Sequence, residues 1–129
     1  MDSRYDRLRY GLDMEEAALR WFCEMFPGQR LIARNYRWKG GELDLILEET
    51  RGAGNVELVF IEVRSRLRGS WTTGIESIRF PKQFRLERTI RRFLAGYRGS
   101  ARTVRFDVLA WDGKNWMHYP DIRLSAPSY

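Results

Sequence analysis

A chain of 129 residues, 43% hydrophobic and 14% aromatic, has the size and apolar content of one packed domain. Its single cysteine, Cys23, excludes an internal disulfide framework and a cysteine zinc site; the charged stretch Met1 to Tyr10 is unlike a secretory signal, and no apolar run is long enough to span a membrane. The net charge of +6 is uneven: residues 1–60 carry 9 Lys and Arg against 11 Asp and Glu, and residues 61–129 carry 14 against 6, so the second half alone is +8. Residues 1–129 are therefore expected to form one cytoplasmic domain, with 1–10 as an N-terminal extension and 120–129 as a C-terminal tail. Its basic half suits a polyanionic partner rather than a membrane or a small-molecule cofactor.

Asp13 followed by Glu16 reads as a helix start, and Met14, Ala17, Ala18, Trp21, Phe22 and Met25 recur at helical spacing up to the Pro27-Gly28 stop. Leu31, Ile32 and Ala33 predict a short strand leading to Asn35-Tyr36-Arg37. Gly40-Gly41 permits a turn before a strand over Glu42 to Leu47. The charged, glycine-containing segment Glu49 to Asn55 reads as the hairpin loop to a second long strand, Glu57 to Ser65. Leu67 to Ile75, with Gly69, Gly74 and a lone Trp71, reads as a mobile loop.

Pro81 suits the first turn of a helix running to about Tyr97. Leu86, Ile90, Phe93, Leu94 and Tyr97 make its apolar face, and Arg85, Arg88 and Arg92 lie opposite. Val104, Phe106, Val108 and Ala110 alternate as a half-buried strand, in which Asp107 falls out of phase and is expected to be exposed or paired. Asp112-Gly113 then turns the chain into a last strand, Trp116 to Tyr119, whose His118 reads as structural. Trp21, Phe22, Phe93 and Phe106 read as core. The order αβββαββ predicts an α/β fold, a mixed β-sheet flanked by α-helices.

Charge inside apolar strands departs from this pattern. Asp44 interrupts Leu43 to Ile46, and Glu62 and Arg64 interrupt the run that begins at Leu58, although burying an unpaired charge is costly. Residues two apart in a strand share a face, which aligns Glu42 with Asp44 and Glu62 with Arg64. Hairpin pairing in a favourable register sets Asp44 beside Glu62, and two such carboxylates repel unless one takes a proton or a cation lies between them. Mg²⁺ takes a few protein oxygens, keeps several waters and completes its shell with substrate phosphate. Asp44, Glu62 and the backbone carbonyl of Val63 thus form a candidate metal site with Arg64 as the adjacent cation. The structural alternatives are ion pairs of these acids with Arg64 or Arg66 and a turn role for Glu42 beside Gly41.

Gly41-Glu42-Leu43-Asp44-Leu45-Ile46, followed by Val59-Phe60-Ile61-Glu62-Val63-Arg64-Ser65-Arg66, resembles the YraN-like family of bacterial proteins. That family belongs to the PD-(D/E)xK, or restriction-endonuclease-like, nuclease superfamily and is similar to archaeal Holliday-junction resolvases. The likeness extends through Gly11, Glu15, Ala18 and Arg34-Asn35-Tyr36-Arg37 upstream, and through Gly74, Lys82, the arginine-rich helix and Phe106-Asp107 downstream. The resemblance implies a four-stranded mixed core sheet and a nuclease that uses Mg²⁺ or Mn²⁺ to hydrolyse DNA phosphodiesters, on branched or single-stranded DNA in repair, recombination or DNA processing. It also implies that Glu15 is an auxiliary acid that binds or orients the metal, Asp44 the central ligand and Glu62 the second, with Arg64 where the superfamily has lysine. The bland alternative for Glu15 is a solvated first-turn acid. Arginine stays charged and cannot act as a base, so the rival to a nuclease is a catalytically impaired nucleic-acid-binding module of the same fold. Lys82, at the start of the basic helix, is a second candidate for the missing lysine.

Arg66, Arg68 and Trp71 offer phosphate contacts and a stacking surface, and Lys82, Arg85, Arg88 and Arg92 extend the candidate DNA-binding face. Two symmetric cuts in a four-way junction call for a homodimer. A protein-interaction scaffold without a nucleic-acid role would not need the arginine face.

Overall fold

The computed structural model describes the backbone of residues 3–65 and 80–123, with side chains from 14–65 and 83–123. In chain order its elements are α1 (Ser3–Met25), β1 (Gln29–Trp38), β2 (Gly41–Arg51), a single turn of 3-10 helix (Gly52–Gly54), β3 (Asn55–Ser65), α2 (Phe80–Gly96), β4 (Thr103–Trp111) and β5 (Trp116–Tyr119). The sheet runs β1-β2-β3-β4-β5. Its neighbours pair antiparallel except β3 and β4, which are parallel and joined through α2 as a parallel pair requires. This is the mixed sheet and the αβββαββ order expected from the sequence.

Each helix covers its own patch of apolar side chains. Ala18 and Phe22 of α1 pack with Leu45, Leu47, Val59, Ile61 and Leu109. Leu86 of α2 packs with Leu43, Ile46, Leu58, Phe60, Phe106 and Val108. Alternation along β3 sends Leu58 and Phe60 to one cluster and Val59 and Ile61 to the other, so a strand buried on both faces reads as a continuous apolar run. The same burial corrects the expectation for β4. Phe106 to Ala110 are all buried, so the strand is not half-buried, and Asp107 takes the second of its two expected states, fully enclosed and paired with Arg105 and His118.

Three boundaries also differ from expectation. Helix α1 begins at Ser3, ten residues before Asp13, because residues 4–12 include no proline and only one glycine to stop its propagation. Strand β1 spans ten residues, extended by pairing with β2 on both sides of a bulge between Leu31 and Ala33. The hairpin loop expected over Glu49 to Asn55 is shorter: β2 and β3 stay paired to Arg51 and Asn55, with Glu49 opposite Glu57, and only Gly52–Gly54 makes the turn. Arginine partners make that pairing possible, since Arg105 Nη1 lies 3.2 Å from Glu49 Oε1 and 2.9 Å from Glu57 Oε1. The expected loop at Leu67 to Ile75 lies outside the described residues.

One glycine sets how closely α2 approaches β2. A Cβ on Gly41 would collide with Thr89 Oγ1 and come within 2.7 Å of the Arg85 carbonyl oxygen. Only glycine lets this turn of α2 sit on the start of β2, which places Arg85 beside the acidic residues that follow.

Candidate metal centre

The hairpin ladder of β2 and β3 ends at Leu45 opposite Ile61, and one further step brings Asp44 level with Glu62. Beyond that point the strands are joined differently: the Val63 N–H donates to Asp44 Oδ2 at 2.8 Å, so a side chain replaces a ladder carbonyl. Strand alternation breaks here too. Leu43 packs in the α2 cluster and Leu45 in the α1 cluster, whereas residues two apart in a regular strand share a face.

Asp44 therefore enters a cleft of about 260 Å³ lined by Gly40, Gly41, Glu42, Asp44, Glu62, Arg85 and Leu86. Carboxylate oxygens of Glu15, Glu42 and Asp44 lie within 4.8 Å of one another. Burial, followed by the charge of Glu62 and then of Glu15 and Glu42, pushes the Asp44 carboxyl up to about 8 against the pull of the Val63 amide. Glu15 is also raised, first by burial and further by Glu42 and Glu62, while a hydrogen bond from Asn35 and the charge of Arg34 oppose the rise.

These donors are all carboxylate oxygens, hard ligands that suit Mg²⁺ or Mn²⁺ better than a thiol-seeking or imidazole-seeking metal. Their mutual repulsion is what a bound dication would relieve. A strand residue directs its N–H and C=O to the same edge, so the Val63 carbonyl faces the β2 side on which its amide meets Asp44.

The sequence-derived residues fall into three groups. Glu15, Asp44 and Glu62 converge on the cleft region, and Glu42 joins Glu15 and Asp44 in the group whose carboxylate oxygens lie within 4.8 Å of one another. Glu42 is ambiguous in the sequence: its i, i+2 relation to Asp44 carries the signal, and a turn role beside Gly41 explains it equally well. Its other contact is Arg37 Nε at 3.4 Å from Oε1. Arg64 stands next to Glu62, with Nε 3.3 Å from Oε1. The buried Arg64 Nε and Nη2 have no hydrogen-bond acceptor among the described residues.

Arg85 lines the cleft, while Arg88 and Arg92 group around an aromatic side chain that sequence reasoning does not select. The guanidinium carbons of Arg88 and Arg92 lie 5.7 and 5.5 Å from the Trp38 ring centroid, and Lys39 Nζ lies 4.8 Å from it. Arg88 Nη2 also donates to the Lys39 carbonyl at 2.7 Å. The result is a basic patch running from the β1–β2 turn onto α2. Arg66, Arg68 and Trp71 lie outside the described residues, as does the side chain of Lys82.

Fold and cleft together define an α/β protein with a carboxylate centre at the ends of two paired strands and arginines at its rim. The chain belongs to the uncharacterised protein family UPF0102, whose family model matches residues 14–111. It is 41% identical over 108 residues to a UPF0102 protein of Ralstonia nicotianae, covering 80% of this chain and 78% of that relative. It is also 41% identical over 109 residues to the UPF0102 protein YraN of Salmonella agona and of Salmonella newport, covering 83% of this chain and 78% of each relative. The YraN-like resemblance thus holds at the level of the family, and the matched span includes every carboxylate of the cleft. No helix among the described residues is long and apolar enough to cross a membrane.

Proposed function

We propose that this protein is a nuclease of the PD-(D/E)xK superfamily that hydrolyses DNA phosphodiester bonds with Mg²⁺ or Mn²⁺. The observation that carries this is the state of Asp44: a carboxylate pushed up to about 8, grouped with two other acids and paired with no cation among the described residues. In this account Asp44 is the central ligand and Glu62 the second. Glu15, Glu42 and the Val63 carbonyl complete the oxygen set. A bound Mg²⁺ or Mn²⁺ supplies a water of lowered pKa and stabilises charge on the attacked phosphate.

Arg64 contributes a fixed positive charge beside Glu62 and cannot take a proton from the attacking water. Arg85 holds the phosphate backbone at the rim of the cleft, and Lys39, Arg88 and Arg92 hold it beyond. Branched and single-stranded DNA are the substrates to test first, and paired cuts in a four-way junction require a homodimer.

Incubating the purified protein with single-stranded, duplex and four-way-junction DNA in Mg²⁺, Mn²⁺ or EDTA tests the proposal. Cleavage that requires the metal and is abolished in Asp44→Asn and Glu62→Gln supports it. Cleavage that survives both substitutions, or persists in EDTA, overturns it.

One observation favours a second reading. An arginine that stays charged already lies 3.3 Å from Glu62, which suits a site where catalysis has been lost and DNA is held without being cut. Salt-sensitive DNA retention with no cleavage in either metal would select that reading.

A further inference from the structure

Helix α2 borders a second hollow, further along its length than the cleft that Arg85 lines. About 400 Å³ in volume, it is walled by Tyr36 of β1 and by Arg92, Phe93, Ala95 and Gly96 of α2. The rings of Tyr36 and Phe93 meet edge to face, with centroids 5.3 Å apart and planes at 86°. Arg92 ties this hollow to Trp38, since it lines the one and its guanidinium carbon lies 5.5 Å from the ring centroid of the other. Strands β1 and β2 pair without a break from Tyr36 to Trp38, so the two aromatic side chains share a face.

Trp38 belongs to neither apolar cluster of the core. Three cations approach its ring instead, Lys39, Arg88 and Arg92. Among the described residues no carboxylate pairs with any of the three, whereas Arg91 on the same helix is tied to Glu87 at 2.7 Å. Cations without acidic partners, an aromatic ring outside the core and a hollow with aromatic walls together fit one ligand chemistry. A nucleotide joins a flat π surface to a phosphate, and grooves that hold single strands meet it with aromatic stacking and positive charge. A duplex keeps its bases stacked inward and offers such a face mainly phosphates. From Arg85 at the cleft to Arg92 at the hollow is about 10 Å by helical rise, the length of about three stacked nucleotides.

We propose that Trp38 and the hollow between Tyr36 and Phe93 form a subsite for an unpaired base of single-stranded DNA, with Lys39, Arg88 and Arg92 on the adjoining phosphates. This subsite rests on the reading of the protein as one that acts on DNA, and it names the feature of the DNA that is recognised.

Gly96 separates base recognition from charge. Its backbone is helical and a Cβ there meets open space, so Gly96→Leu fills the hollow without a clash and keeps every cation. Fluorescence anisotropy of the full chain in EDTA, where metal-dependent cleavage is stopped, compares a labelled thymidine oligonucleotide with a strand of the same length carrying abasic sites. Wild type should bind the thymidine strand roughly 5- to 100-fold more tightly than the abasic strand. Gly96→Leu and Trp38→Ala should each shrink that ratio toward one, with the salt dependence unchanged because the phosphate contacts remain. Equal wild-type affinity for the two strands would overturn the subsite and leave the DNA reading standing. A base preference retained in both variants would also overturn it. Wild type that binds neither strand removes the DNA reading, and the subsite falls with it.

Discussion

Two groups of buried acids lie about five residues apart along β3, roughly 16 Å by strand rise, and they are handled in opposite ways. At one end, Arg105 contacts Glu49, Glu57 and Asp107. Asp107 is hydrogen-bonded further by the Asp121 amide at 2.9 Å and lies 2.7 Å from His118 Nε2. Burial opposes ionisation of Asp107, but His118, Arg105 and the Asp121 amide override it and hold the carboxyl below its usual range. Glu49 is lowered in the same way, with Arg105, Gln29 and Arg51 outweighing its burial. At the other end Asp44 has like charges for neighbours and is pushed up. Burial is common to both ends; a cation partner decides whether the carboxyl is held below its usual range or pushed above it.

Breaking the paired end should have the largest effect. Arg105→Met leaves three acids without their shared cation, and a loss of about 3–5 kcal/mol is expected in urea unfolding, the range for breaking a buried ion pair from one side. Asp44→Asn should instead be neutral or stabilising by the same measurement, because it removes a desolvated, repelled carboxylate. A large loss of stability in Asp44→Asn would erase the contrast.

The next effect tests the cation beside Glu62, at the Asp44 end. Removing Arg64 as Arg64→Ala should lower metal-dependent cleavage roughly 100- to 1,000-fold if it stabilises charge as a preorganised donor, while Arg64→Lys should retain more activity than Arg64→Ala.

Dependence on pH sharpens the comparison because the two ends carry opposite signs. The pKa values of Asp107 and Glu49 are lowered by folding, so the stability they contribute is present above the ordinary carboxylate range and lost as pH falls through their folded values. Asp44 is raised from 3.8 to about 8, so the folded state keeps a proton that the unfolded chain has released. Metal-free wild type should therefore lose stability as pH rises across that window, and Asp44→Asn should not show that component. Mn²⁺ affinity should rise over the same window, since the ligand must shed its proton to bind.

The smallest effects belong to the basic patch. Replacing Arg85, Arg88 and Arg92 with alanine should weaken DNA retention and reduce the slope of log affinity against log salt by about 0.7–0.9 for each phosphate that is no longer neutralised. Trp38→Ala should cost about 0.5–1 kcal/mol for each cation–π pair it breaks, read from urea unfolding.

Asp44 and Glu62 are legible in the sequence because a charge in an apolar run is a local signal. The two long central strands and the arginine face of α2 are local as well. Asp107 is harder: its strand is buried on both faces, so alternation cannot place it, and Arg105 reaches acids 48 and 56 residues away. Glu49 reads as loop for the same reason, since its charge reports nothing about a distant partner. Trp38 joins Arg88 and Arg92 only once α2 docks on the Gly40-Gly41 turn. The role of Glu42 depends on local backbone geometry around Asp44, where regular strand alternation fails.

The central claim is that the carboxylates around Asp44 take a divalent cation, and thermal unfolding of wild type and Asp44→Asn with and without Mn²⁺ tests it most directly. At a metal concentration 100 times the dissociation constant, linkage stabilises a binding protein by about 2.7 kcal/mol. The account predicts a concentration-dependent rise in wild-type melting temperature that is absent in Asp44→Asn. A wild-type melting temperature indifferent to Mn²⁺, or an equal rise in both proteins, would contradict it.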